Sequence, residues 1–293
     1  MLRPTLMTLL LCGFACAGPQ ERRQDDPPAG EAKPAKQDEK QEASKKSPRE
    51  LVTEMLAKEG IRVDTDKRRI LAEGKITVTR DFLEFVAIGP NGKKHEALVT
   101  LRCRGSSLNA ALLALGLEPG KNADFIEIEP RPTREEYEAG APLYRVVPPT
   151  GPELALTVSW HDEHEKLVEK PVEALIIDVA TEKPIENARW IYFESLVAPI
   201  EKGKPPVFVA DYEGNFIATY YAKPDSHFIT LDHERARDDQ NWFANTEALP
   251  PAGTPCTLVI TVKKATTKPE KTEKASVRKE DPARKDADGR ERK

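Results

Sequence analysis

The chain has 293 residues, of which 32% are charged and only 6% are aromatic. With 25 prolines as well, this composition indicates that part of the chain is too polar to pack into a core. No apolar run reaches the roughly 20 residues of a membrane-spanning helix, and no Gly-X-Y or heptad repeat occurs. The sequence therefore excludes a multi-spanning membrane protein, a collagen and a coiled coil.

Residues 1–17 have the pattern of an export signal. Arg3 is followed by a short apolar run over residues 5–14 and by small residues at 15–17. Two cleavage sites stay open: the small residues fit an ordinary signal peptidase, whereas the four residues ending at Cys16 resemble a bacterial lipobox. We therefore expect an exported protein of the periplasm or cell envelope, which in the second case is lipidated at Cys16.

Two charged segments flank the rest of the chain. Residues 18–50 contain no aliphatic residue larger than alanine, and residues 263–293 hold 12 basic and 7 acidic residues. Both are predicted to be disordered because they have little to bury. Between them, residues 51–262 hold 24 basic and 34 acidic residues, a net charge of −10. An acidic domain argues against nucleic acid as a partner, since phosphates require a basic surface.

The ordered part is predicted to begin with a helix. Ser47 is a suitable N-cap, Pro48 follows at the first helical position, and Glu50 completes a capping box. Short runs of β-type sequence follow between residues 61 and 103. A run over residues 108–117 then places its leucines on one helical face, which predicts a core helix.

The second half of the domain returns to β-type sequence. Residues 118–152 are irregular and contain seven prolines, and a loop of this length in a compact domain is usually functional. Several short strands are predicted between residues 154 and 262, with a hairpin turn at Asp211–Phe216. We expect one α+β domain over 51–262 with a mainly antiparallel sheet and one core helix. Two short sequence echoes leave open a pair of similar halves.

Only two cysteines lie beyond the predicted signal, Cys103 and Cys256. In an oxidising compartment two such cysteines favour one disulfide. Both occur near or within apolar, β-like runs, which equally fits two buried free thiols. The sequence leaves both alternatives open.

The histidines offer two candidate sites. His161 and His164 are three residues apart with carboxylates around them, so they are candidate ligands for zinc or copper, although a polar turn between two strands explains them better. His95 and Glu96 stand at the entrance of a strand, where they are candidates for gripping a ligand or for acid–base chemistry. No zincin, phosphate-loop, dinucleotide or hydrolase-elbow motif occurs.

Several stretches together resemble the YdjY-like domain of bacterial envelope proteins, across about residues 60–262. They are Ile61–Asp64, Phe82–Phe85, Lys94–Leu98, Ala110–Gly120, Ala210–Asn215 and Asn245–Pro255. The resemblance implies an exported domain of undefined biochemistry, and it brings no catalytic residues with it. An iron–sulfur cluster normally needs four thiolates. Two cysteines outside the signal cannot supply them, so no such cluster is expected.

The sequence thus favours a non-catalytic module that binds a ligand or partner of the cell envelope. Binding residues concentrate on loops, so the segment 118–152 and the pair His95/Glu96 are the first places to search. The alternative is a metal-binding domain or metalloenzyme that uses His161 and His164, together with other histidines, to bind a divalent cation. No other cofactor is predicted, and contact with a membrane is expected only through a lipid anchor.

Overall fold

The computed structural model describes residues 47–264. The predicted signal peptide with Cys16, and the predicted disordered segments apart from residues 47–50 and 263–264, lie outside the described residues. Within the described part of the chain, no helix is long and apolar enough to cross a membrane.

Short helices and many strands make up the fold. The helices are α1 (Pro48–Lys58), α2 (Gly105–Ala114), α3 (Arg134–Glu138) and α4 (Val209–Glu213), with single 3₁₀ turns at Lys94–Glu96 and Val172–Leu175. The strands are β1 (Ile61–Asp64), β2 (Arg69–Ile76), β3 (Phe85–Ile88), β4 (Ala97–Leu101), β5 (Asp124–Glu127), β6 (Tyr144–Val147), β7 (Glu153–His161), β8 (Leu167–Pro171), β9 (Ile176–Asp178), β10 (Lys183–Pro184), β11 (Arg189–Tyr192), β12 (Val197–Ala198), β13 (Val207–Phe208), β14 (Asn215–Ala218), β15 (Ile229–Asp232), β16 (Trp242–Ala244) and β17 (Pro255–Val262).

Eight of these strands close into a barrel. Their order is β2-β17-β7-β11-β15-β14-β3-β4, and β4 pairs with β2 to complete the ring. The pairs β3–β4 and β14–β15 are parallel, and the other six are antiparallel. The prediction of an α+β fold is therefore wrong: among residues 47–264, strands take 37% and helices 17%. A closed ring removes the sheet edges that an open sheet leaves unpaired.

The barrel core follows from the two-residue period of its strands. On β17, Leu258 and Ile260 are buried, and their register partners on β7, Val158 and Leu156, are buried too. Ile70 lies opposite Ile260 on the other side and continues the row onto β2. Side chains alternate between the faces of a strand, so these rows build one apolar interior.

The helices lie around this barrel. In α1 the predicted capping box is confirmed, with the backbone N–H of Ser47 donating to Glu50 Oε2 at 2.7 Å. Helix α2 begins at Gly105, three residues before the predicted start, and buries Leu108 and Leu112. The predicted turn at Asp211–Phe216 is wrong in detail, because residues 209–213 form α4 instead.

Three smaller sheets stand outside the barrel, and two of them are hairpins that matter below. Strands β5 and β6 pair with each other and belong to the 118–152 segment, and β12 pairs only with β13. An isolated bridge from Gly120 to Phe193 ties the segment to the end of β11, and a second bridge, from Lys121 to Thr150, joins the two ends of the segment itself. The 118–152 segment is thus attached to the barrel at Gly120, while its β5–β6 hairpin forms a separate sheet outside the barrel.

Candidate functional site: a cleft beside the 118–152 segment

An open cleft of about 720 Å³ lies between the 118–152 segment and the chain around residues 194–197 and 223–225. This volume is within the usual range of ligand sites. The lining residues are Gly120, Lys121, Asn122, Asp124, Ile126, Val147, Pro148, Thr150, Glu194, Ser195, Leu196, Val197, Lys223 and Asp225. The cleft therefore lies where the irregular, proline-rich sequence directs the search.

The β5–β6 hairpin forms the first wall. Phe125 and Val146 are register partners, and both pack against the hydrophobic core. Since neighbours along a strand point to opposite faces, Asp124 and Ile126 point the other way, and both line the cleft. Ile126 keeps 42% of its surface exposed. The alternation of β5 thus anchors the hairpin and presents one carboxylate and one aliphatic side chain.

The second wall is the chain that leaves β11. Glu194 and Leu196 are exposed, whereas Ser195 between them is buried. The Ser195 hydroxyl donates to the backbone oxygen of Asp225 at 3.0 Å, and the Leu196 N–H donates to the same oxygen at 2.8 Å. Val197 follows with 59% of its surface exposed. These bonds fix the wall while its apolar side chains face solvent.

Glycines at the base allow two chain segments to approach closely. A Cβ on Gly120 would come within 1.7 Å of the backbone oxygen of Thr150, and one on Gly151 within 2.1 Å of the backbone oxygen of Tyr192. Gly151 also has a φ of +143°, which side-chain-bearing residues rarely adopt. Only glycine therefore permits this junction between the segment and the barrel.

Polar contacts cross the base of the cleft. Asn122 Nδ2 donates to Asp225 Oδ1 at 2.9 Å and to the backbone oxygen of Ala222 at 3.1 Å. Lys223 Nζ lies 3.0 Å from the same Asp225 oxygen. Asp225 is thus held by one amide and one ammonium group, and the charge of Lys223 is balanced within the cleft.

A buried histidine follows this wall. The ring of His227 is fully buried, edge-on to Phe193 with 4.9 Å between ring centroids. Neither ring nitrogen has a hydrogen-bond partner among residues 47–264. Burial lowers the pKa of His227 to about 3, although the nearby Asp225 opposes the shift. His227 is therefore neutral at ordinary pH, and it is not among the residues that line the cleft.

His95 and Glu96 lie elsewhere, in an ion-pair cluster at the start of β4. Lys93 Nζ is 3.0 Å from Glu84 Oε2 and 3.3 Å from Glu96 Oε2, and His95 Nε2 is 3.1 Å from Glu96 Oε1. Partial burial raises the pKa of Glu84, and the neighbouring Glu96 adds to the rise while Lys93 opposes it. The structure brings the two predicted residues together, with His95 largely exposed and neither residue lining the cleft.

His161 and His164 belong to the β7–β8 hairpin. His161 is the last residue of β7, and His164 stands in the turn with 82% of its side chain exposed. Asp162 Oδ1 accepts from the backbone N–H groups of His164 and Lys166, which is the bonding of a polar turn. Among residues 47–264, no group of three or more histidine, cysteine or acidic side chains is arranged to hold a metal ion.

Cys103 and Cys256 are free and buried in the structure. Burial raises the pKa of each thiol to about 12, with a smaller contribution from Glu59 at Cys103. Neither residue lines the cleft. A buried thiol with so high a pKa is a weak nucleophile.

The second wall and the polar base of the cleft cannot be predicted from the sequence. Residues 194–197 lie just beyond the end of β11 at Tyr192, and nothing local marks Asn122 and Asp225 as partners 103 positions apart. The one available signal was the run Leu196-Val197 followed by Ile200, which is apolar in a stretch without a strong strand pattern. Chemically, the cleft combines exposed aliphatic side chains with carboxylates and two lysines, which suits recognition of a ligand with both apolar and charged groups.

A family model described as the YdjY domain matches residues 61–261. Searches of curated proteins and of solved structures find no match to the chain. The matched range covers more than half of the 293 residues and includes the whole cleft. The resemblance drawn from the sequence motifs is confirmed, and the chain belongs to the YdjY domain family.

Proposed function

We propose that this chain is a non-catalytic binding module of the cell envelope and that its ligand occupies the cleft. One observation carries the proposal. Ile126, Leu196 and Val197 line a single concave site, and each leaves at least 42% of its surface exposed. Exposing apolar side chains to water is unfavourable, so a cluster of them in a concave site is typical of a binding surface.

The chemistry of the lining supports binding rather than catalysis. Its residues include no histidine, cysteine or tyrosine. The Ser195 hydroxyl is already a donor to the backbone oxygen of Asp225, and the Asp225 carboxylate is held by Asn122 and Lys223. An activated nucleophile needs an adjacent base. In the described range 47–264, the contacts of the Ser195 hydroxyl do not include one.

A thermal-shift screen tests the proposal without assuming a ligand. The full chain is heated with representatives of sugars, phospholipid headgroups, amino acids and peptides. A ligand that binds only the folded state raises the melting temperature. We expect at least one class to raise it for the unmodified chain and for Val179→Glu, but not for Ile126→Glu.

Val179 is the matched control because it is an aliphatic residue 43% exposed, against 42% for Ile126, and it lies outside the cleft. A charge at position 126 would be buried when the ligand binds, so it would weaken the apolar contact between the ligand and the cleft. The same charge at position 179 would not affect this contact. If every stabilising compound acts equally on both variants, the ligand binds elsewhere and the proposal fails.

Export is the second part of the proposal. It is supported by Arg3, the apolar residues 5–14 and the small residues 15–17, which together have the composition of a signal peptide. Mass spectrometry of the protein from its host gives the test. A chain that begins at Ala17 or Gly18, or at a lipid-modified Cys16, supports export and distinguishes the two cleavage sites. A chain that retains Met1 contradicts it.

A further inference from the structure

The two walls of the cleft repeat one arrangement of side chains. On the first wall Asp124 precedes Ile126 by two residues, and on the second Glu194 precedes Leu196 by two. In both pairs the residue between points into the protein: Phe125 packs against the core, and Ser195 is 3% exposed. Each wall therefore offers one carboxylate beside one aliphatic side chain.

Resting on the proposed binding function, we propose that the ligand is an extended, cationic segment of another protein, with basic and aliphatic residues two positions apart. In an extended chain, residues two apart point to the same side and are about 6.5 Å from each other. Two such pairs along the segment would engage both walls, with the basic side chains at Asp124 and Glu194 and the aliphatic ones at Ile126 and Leu196.

The charge of the domain favours a cationic ligand. Residues 51–262 carry a net charge of −10, and the segment 118–152 holds seven acidic and four basic residues. Of the two lysines in the cleft, Lys223 is paired with Asp225 at 3.0 Å, so its charge is balanced. Lys121 is therefore the lysine of the lining that would oppose a cationic ligand. Complementary charge of this kind speeds association and selects between partners.

The terminal segments of the same chain contain the required pair of residues at most once, at Val277 and Lys279. Residues 265–293 are basic, but Val277 is their one aliphatic residue larger than alanine, and residues 18–46 have none. Neither segment can supply aliphatic side chains to both Ile126 and Leu196. The pattern therefore indicates a segment of a different protein.

Fluorescence anisotropy with synthetic peptides tests the proposal on the full chain. The probe is a labelled octapeptide that repeats Lys-Ser-Val-Ser, and the comparison peptides repeat Glu-Ser-Val-Ser or Lys-Ser-Ser-Ser. We expect the probe to bind at least about tenfold more tightly than either, because it alone makes both charge and apolar contacts. The double variant Asp124→Lys/Glu194→Lys is expected to prefer the Glu-Ser-Val-Ser peptide.

Glu163→Lys/Glu169→Lys is the matched control, since it changes the net charge equally on exposed residues outside the cleft. It is expected to keep the original preference. A reversed preference in this control would show attraction to overall charge and overturn the proposal. Tighter binding of a synthetic peptide of residues 265–293, or self-association of the chain through the cleft, would overturn it too.

The two proposals fail in different ways. If a compound from the thermal-shift screen acts through Ile126 while the probe peptide does not bind, the cleft remains a binding site and the peptide proposal is wrong. If neither the compounds nor the probe depend on Ile126, both proposals are wrong.

Discussion

Asn122 Nδ2 donates a 2.9 Å hydrogen bond to Asp225 Oδ1, although 103 positions separate the two residues. The same amide nitrogen donates to the backbone oxygen of Ala222, and Asn122 Oδ1 accepts from the backbone N–H of Ala123. Asn122 is 8% exposed. One small side chain thus connects the 118–152 segment to the opposite side of the cleft.

Replacing Asn122 by alanine removes these bonds and leaves buried polar groups without partners. We expect the free energy of unfolding to fall by about 1–3 kcal/mol, as measured by urea denaturation. Asn91→Ala, at an exposed asparagine, is the control and should change it by less than about 0.5 kcal/mol. Equal losses in the two variants would show that Asn122 does not stabilise the base of the cleft.

The close approach at Gly120 gives a second prediction. Alanine there would place a Cβ 1.7 Å from the Thr150 oxygen, so the junction must shift. We expect a loss of at least about 2 kcal/mol in stability. Gly203→Ala is the comparison, because a Cβ at Gly203 meets nothing within 4 Å and only its φ of +81° is unfavourable. That variant should lose about 1 kcal/mol, and the opposite order would contradict the described junction.

His227 predicts how stability depends on pH. Its pKa is lowered by burial to about 3 in the folded state, whereas an unfolded histidine titrates near 6.5. Below about pH 6.5 the unfolded chain therefore binds a proton that the folded chain does not, and stability falls as the pH falls towards about 3. The slope from this residue is up to about 1.4 kcal/mol per pH unit.

Urea denaturation at several pH values between 4 and 7 measures this dependence. The variant His227→Leu is expected to lose less stability on acidification than the unmodified chain, because it has no group to protonate on unfolding. His161→Gln changes an exposed histidine at the end of β7 and should keep the original slope. Identical slopes in all three proteins would mean that His227 is accessible to protons in the folded state.

The two buried cysteines predict a pattern of thiol reactivity. In a chain that begins at Gly18, Cys103 and Cys256 are the only thiols. Because burial raises both pKa values to about 12, we expect almost no reaction with a thiol reagent at pH 8 in the folded state. Unfolding without reductant should release two reactive thiols per chain. Finding none would show that a disulfide forms.

The sequence predicts local structure better than the closure of the barrel. The capping box at Ser47 and the core helix near Leu108 could be read because each depends on residues a few positions apart. The pairing of β4 with β2, which closes the ring, depends on strand ends meeting in space, and no local pattern records it. The α+β prediction is wrong for this reason.

One wall of the cleft can be predicted from the sequence, and the other cannot. Length and proline content direct attention to residues 118–152, and the alternation of β5 gives the faces of Asp124 and Ile126. The opposite wall at Glu194–Val197 becomes part of the site only through bonds to Asp225 and through the bridge from Gly120 to Phe193 at the end of β11. Such contacts join residues that are distant in sequence, so composition and periodicity do not reveal them.

Site-specific photocross-linking in intact host cells shows whether a ligand occupies the cleft. A photoreactive phenylalanine analogue replaces Val197 in one protein and Tyr212 in another, since each of these residues is 59% exposed and only Val197 lines the cleft. Mass spectrometry then identifies adducts after illumination. We expect one defined adduct at position 197 and none of that mass at position 212. The same adduct at both positions, or none at 197, would contradict a ligand site in the cleft.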